Sequence, residues 1–257
     1  MIRSRLSSSA RNRAIQESRP RKAESNADWL RRAHKALGED SPKLLMLGGT
    51  NLFDFRLRIA QSHARADMKP SFWSHVGLLL PSSGKGGFEL WHVPLETSDA
   101  ASLSSRNAIE KANLDHAADK TRFPNLALIE FPGAEAATLE EAVGLLTKSR
   151  LSLDLVTPVI HWIAFACGAG TRGNPLLEGV ALPAASFVEA AFGHAGIDLS
   201  PGLSERTSCP EAIWQAALWW GDFYSSAGGS PSGEGKTEGK TPRGAYTLGQ
   251  PAAAIVD

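Results

Sequence analysis

The chain has 257 residues, 42% hydrophobic and 21% charged, with Lys+Arg 27 set against Asp+Glu 27. That length holds one large domain or two small ones around a real core. The formal net charge of +0 excludes a nucleic-acid binder working through a strong global field, though not a local basic patch. Two cysteines, Cys167 and Cys209, exclude a disulfide framework and a cysteine-rich zinc site.

The first segment, up to about Lys22, carries Arg3, Arg5, Arg11, Arg13, Arg19, Arg21 and Lys22 against a single acid, Glu17. It reads as a solvated, flexible basic arm over residues 1–26. Contact with phosphate or an acidic partner, or a targeting address, are its other readings. No apolar run follows these arginines, so no secretory signal is expected. From Ala27 to Leu37, Trp29, Leu30, Ala33 and Leu37 recur at helical spacing and predict a short amphipathic helix.

The next apolar segment, Ser41 to Leu47, ends at Gly48 and Gly49. After it, LFDFRLRI leads into the polar stretch SHARADMKPSFW. His75 to Leu80 (HVGLLL) predicts a strand, PSSGKGG a turn, and Phe88 to Val93 (FELWHV) the hairpin partner. Asn125 to Phe131 predicts a third strand, stopped by Pro132 and Gly133. Helices follow: one begins near Thr138, with Glu141 in capping-box spacing, a second covers about Leu155 to Cys167, and a third runs from about Ala184 to His194. A fourth runs from Pro210 to Trp220, with Trp214, Trp219 and Trp220 available for the core or for an interface. The longest apolar stretch, Leu151 to Gly168, is broken by Asp154, Pro158 and His161. It falls short of the roughly 20 apolar residues of a transmembrane helix, and a buried helix is expected instead. From Ser225 onward Gly, Ser, Pro, Lys and Glu dominate, and residues 225–257 read as a tail around a packed domain at 27–224. Strands first and helices after make an α+β pattern, a small antiparallel sheet packed against a helical layer.

Chemistry concentrates in three places. His75 opens the first firm strand, two residues before Gly77, where another backbone or a ligand can approach closely. On the hairpin strand, Glu89 and His92 point to opposite faces, because side chains alternate along a strand. Only one of them shares a face with a given neighbour. The helix start PAASFV offers backbone N–H groups and a dipole that would stabilise a thiolate. His34, His63, His116, His161 and His194 show no metal-ligand spacing, and GGTN and CGAGTRG lack the lysine of a phosphate loop. No cofactor and no metal are expected.

The order SHVGLLLP, a hairpin strand with a polar residue, AASFV at a helix start and a downstream SCPEAIWQA resembles the circularly permuted papain-like fold. That group contains the permuted NlpC-like amidases and the lecithin:retinol acyltransferase group, and the resemblance spans Leu44 to Trp220. It implies that His75 is the general base and that His92 or Glu89 orients it. It also puts Ala184 where the family carries its nucleophilic Cys. A methyl group cannot attack a carbonyl, so the chain as written lacks the covalent step. An engineered Cys-to-Ala change, a natural pseudoenzyme, or service by Ser186 would each account for this. Ser186 is two positions along the helix and turned well away, at roughly 100° per residue. The implied reading is a cysteine hydrolase or acyltransferase scaffold for an amide, ester or thioester bond in a cell-wall peptide, protein or acyl lipid. Such a protein would be cytoplasmic, or a bacterial effector secreted without a cleavable signal. The other reading is a binding module that grips a protein or peptide in the cleft, with the tails as attachment points.

Overall fold

The computed structural model describes residues 14–82, 87–96, 100–169, 173–202, 207–227 and 241–249. Arg3, Arg5, Arg11 and Arg13 of the basic arm lie outside the described residues, as does most of the tail. In chain order the elements are β1 (Ile15–Glu17), α1 (Asn26–Leu37), β2 (Lys43–Gly48), α2 (Leu52–Ala60), β3 (His75–Pro81) and β4 (Phe88–His92). Then come α3 (Ala100–Ser105), β5 (Glu110–Ala112), a short 3-10 turn at Leu114–Ala117, β6 (Asn125–Glu130) and α4 (Ala136–Lys148). The chain continues through α5 (Val156–Ala166), α6 (Pro183–His194), α7 (Pro210–Ala227) and β7 (Arg243–Leu248).

The class is α+β, as the strand-then-helix order implies. One seven-stranded open sheet runs β1-β7-β6-β2-β3-β4-β5. Every pairing is antiparallel except β1 with β7, which is parallel. The sheet therefore extends well past the expected domain edges. β1 falls inside the segment read as a flexible arm, and β7 inside the segment read as a tail, so the division at 27 and 224 does not hold. Composition misled because β7 (RGAYTL) has no clean apolar alternation and follows a long Gly/Ser/Pro run. Its place comes from the backbone ladder to β6 and β1 and from Tyr246, whose ring lies 5.3 Å from that of Trp214.

Alternation along the strands divides the core in two. Leu44, Met46, Val76, Leu78, Leu80, Ala127 and Ile129 face α4, α5, α6 and α7 in the larger cluster. Leu45, Leu47, Leu79, Leu90, Leu126 and Leu128 face α1, which contributes Trp29, Leu30 and Ala33. Ser25 starts α1 by accepting the Asp28 N–H at 3.1 Å, and the apolar stripe read from the sequence is the face it buries. Other expectations need adjustment. α4 starts at Ala136 with Glu135 before it and no side-chain cap, so the Thr138–Glu141 capping box is not formed. α5 buries one face only, through Val156, Val159, Trp162 and Ala166, while Ile160 is exposed. Among the described residues no helix is long and apolar enough to cross a membrane.

Candidate functional site

The site forms at the end of the sheet where β2 leaves, β3 begins and β4 ends. β2 pairs Leu47 with His75, and β3 pairs Leu79 with Leu90, so alternation sets His75, Leu79, Leu90 and His92 on the α1 face. Gly77 lets the two strands close up. A Cβ there would meet Leu90 Cδ1 at 2.7 Å and His92 Cβ at 3.2 Å, so its space goes to the neighbouring strand and not to a ligand. The two rings then meet edge to face, and a 2.9 Å hydrogen bond joins His75 Nε2 to His92 Nδ1. One imidazole N–H donates to the lone pair of the other.

Glu89 does not join them. It sits on the opposite face of β4, where Lys111 Nζ approaches one carboxylate oxygen at 2.6 Å and Ser82 Oγ donates to it at 3.3 Å. Ala184 does not join them either. It is the second residue of α6, 3% exposed and packed in the cluster on the helical face. It is not among the residues lining the histidine cleft. Of the residues singled out in the sequence, the fold bonds His75 to His92, puts Glu89 on the opposite face of β4, and packs Ala184 into the core cluster on the helical face, outside the residues that line the cleft.

The cleft has a volume of about 70 Å³, several times the space one water needs. Its apolar wall is Phe53, Leu57, Pro94, Leu95 and Phe123, and its polar groups are Asp54, Ser74, His75, His92, Glu96, His116 and Arg122. His116 comes from the 3-10 turn, and its ring lies 4.9 Å from that of His92 and 5.8 Å from that of Phe123. Arg122 pairs with Glu96 at the rim and lays its guanidinium 4.9 Å from the Phe123 ring centre. Sequence reading weighed His116 only as a metal ligand and passed over Asp54, Glu96 and Arg122. No periodicity links them to His75; they meet only through the fold.

Asp54 is the third residue of α2, whose first turn is capped by Asn51 Oδ1 accepting the Asp54 N–H at 2.7 Å. Its carboxyl group packs flat on Gly49: a Cβ at that position would lie 2.1 Å from Asp54 Oδ2. Asp54 is 7% exposed and its Oδ2 has no hydrogen-bond partner. The segment that delivers β3 is held from behind. Gln61 Nε2 donates to Trp73 O at 2.9 Å, Ser71 Oγ donates to Glu211 Oε2 at 2.6 Å, and Arg58 Nε donates to Ser71 O at 2.7 Å.

Burial sets the charge states. It pushes His75 well below the usual imidazole value, with the charges of His92, His116 and Arg122 acting in the same direction. His92 is pushed down to about 3 by burial and then by His116. His116 is lowered by burial and Arg122, with Glu96 opposing. Asp54 is raised by burial and by Glu96, with the Ser74 hydroxyl, Arg122 and the buried Arg58 pulling it partly back. At neutral pH the three imidazoles are therefore neutral bases and hydrogen-bond partners. The cysteines stand apart: Cys167 is exposed, and Cys209 is buried with its thiol pushed up to about 12. Among the described residues no group of three His, Cys, Asp or Glu side chains could hold a metal ion. No protein-family model, no curated protein and no solved structure matches this chain.

Proposed function

We propose that the chain is a binding module on a permuted papain-like scaffold, whose cleft grips a peptide or protein segment without cleaving it. The observation that carries this reading is the make-up of the cleft. Two hydrogen-bonded imidazoles stand there with no thiol beside them. The one hydroxyl among the lining residues, Ser74 Oγ, already accepts the Gly49 N–H at 3.0 Å. A general base without a nucleophile within reach performs no acyl transfer.

The second reading is a cysteine hydrolase or acyltransferase disarmed at Ala184. It is favoured by the 2.9 Å His75–His92 bond, which is the contact a base and its orienting partner require. One experiment separates the two. Ala184→Cys is made in a Cys167→Ser background, because Cys167 is exposed and would react. Labelling by a small thiol-directed electrophile is then followed across pH, with and without His75→Ala. The binding module predicts a slow thiol indifferent to His75. Labelling that persists well below the free-thiol pKa of about 8.5, and collapses without His75, overturns it in favour of the hydrolase.

A further inference from the structure

Of the seven tryptophans, Trp29, Trp73, Trp162 and Trp214 are buried, whereas Trp219 is 57% exposed. It stands on the later turns of α7 with Trp220 and with Phe223, which is 49% exposed. Trp219 and Phe223 stack at 5.3 Å with their planes 14° apart, and Trp220 meets Trp219 at 4.7 Å and Phe223 at 5.9 Å, edge to face. The start of the same helix shows the contrast: Trp214 packs its ring against Trp73 at 5.0 Å and Tyr246 at 5.3 Å, inside the core. Large rings left half in water at neighbouring positions form an apolar patch, and such a patch marks an interaction surface.

What lies beside the patch says what covers it. Gly221, in the same turn, faces Ala14: a Cβ on it would lie 3.9 Å from Ala14 Cβ, and Ala14 O accepts the Gly244 N–H at 3.1 Å. The basic arm therefore joins the fold against the turn that carries the rings. Its residues 1–13 hold Arg3, Arg5, Arg11 and Arg13 and no acid. Asp222, the one acid in that turn of α7, is a single charge against four, and Glu17 is met by Arg19 at 3.3 Å. An apolar group to insert and a basic segment to attract anionic headgroups are the two signals that attachment to a bilayer needs. Indole suits that boundary, with an apolar body for the acyl chains and an N–H for the headgroups. A single-stranded nucleic acid would instead need open ring faces on which its bases stack, and here Trp219 and Phe223 turn a face to each other.

We infer that this end of the molecule docks on the surface of an anionic lipid bilayer, with Trp219, Trp220 and Phe223 at the headgroup boundary and the arginines of the basic arm on the headgroups. The surface is separate from the histidine cleft, and the inference does not rest on the cleft's role.

The test is flotation of the full chain with vesicles of phosphatidylcholine alone and of phosphatidylcholine mixed with phosphatidylserine, each with and without brominated acyl chains that quench tryptophan emission. Binding to the phosphatidylserine vesicles is expected to be about tenfold tighter or more than to phosphatidylcholine alone, to weaken with added salt, and to bring quenching by the brominated lipid. Trp219→Ser with Phe223→Ser should remove most of the quenching and weaken binding by about tenfold or more. Changing the arm by Arg3→Gln, Arg5→Gln, Arg11→Gln and Arg13→Gln should bring binding down to the phosphatidylcholine level. The lipid, salt and quenching comparisons are made on the unaltered chain, so they stand even if a variant misfolds. No binding to the anionic vesicles, equal binding to both kinds, or binding without quenching overturns the inference. Self-association that the double ring variant abolishes, with no vesicle binding, gives the patch to a second copy of the chain and overturns it as well.

Discussion

Asp54 and Glu211 are both carboxylates in the first turn of a helix, both buried, and both raised in pKa chiefly by that burial. Their surroundings differ. Glu211 accepts from Ser71 Oγ at 2.6 Å and Gln215 Nε2 at 2.6 Å, and Arg65 stands at 3.4 Å. Its own N–H donates to Gln61 Oε1 at 2.9 Å. Asp54, at the cleft, leaves Oδ2 with no donor. Burial alone does not distinguish a fastener from a carboxylate left short of a donor. Glu211, its oxygens filled by donors, ties α7 to the segment that delivers β3, whereas Asp54 is held by the Ser74 hydroxyl and by the charges of Arg122 and Arg58 and leaves one oxygen without a donor.

The largest expected effect breaks the fastener. Glu211→Ala leaves Ser71, Gln215 and Arg65 facing an emptied site, and stability should fall by about 3–5 kcal/mol in chemical denaturation. Asp54→Asn should change stability by less than about 1 kcal/mol. Equal losses would make both carboxylates structural and erase the contrast.

A second effect comes from acid. The cleft histidines have folded pKa values below their ordinary 6.5, His92 at about 3. The unfolded chain therefore binds more protons than the fold between those limits. Stability from these groups is complete above about pH 6.5 and is lost as pH falls, at roughly 1.4 kcal/mol per pH unit for each histidine that protonates only on unfolding. Ion-paired carboxylates such as Glu24, lowered from 4.5 to about 2, add their own loss only below 4.5. In the interval from 6.5 to 4.5 the buried histidines, with His34 lowered to about 4, set the loss, and the raised carboxyls of Asp54 and Glu211, which take up protons in the fold before they do in the unfolded chain, offset part of it. His92→Gln should flatten that limb by about one proton's slope in denaturation series at stepped pH. An unchanged limb would mean that His92 is not held neutral by the fold.

The smallest effect concerns the other candidate partner of His75. Glu89 and Lys111 are a partly exposed pair on the opposite face of the sheet, so Glu89→Gln should cost less than about 1 kcal/mol. It should leave the His75 and His92 ring resonances in place in an NMR spectrum. A shift of those resonances would bring Glu89 back as the residue that orients His75.

Much of the frame was legible locally. The stripe of Trp29, Leu30 and Ala33, the strand HVGLLL with its partner FELWH, and the helices near 156 and 183 follow from a period that a few neighbouring residues specify. Alternation also stated that only one of Glu89 and His92 can face His75. Which one was left open, because a register shifted by a single residue would exchange them, and the pairing of Leu79 with Leu90 selects His92. β1 and β7 were missed for a related reason: three and six residues with no strong pattern become strands only when β6 offers β7 a ladder more than a hundred residues away and β7 in turn pairs with β1.

The sequence by itself determined the α+β class, the hairpin that carries both histidines and the absence of a thiol at position 184. Tertiary structure decided that Ala184 packs with the helical core, and that Asp54, Glu96, His116 and Arg122 converge on His75 and His92. It also decided that one of the buried carboxylates is satisfied and another is not. Periodicity acts over a few residues of chain, whereas charge balance and burial are set by whatever distant segments the sheet and its turns bring within a few ångströms.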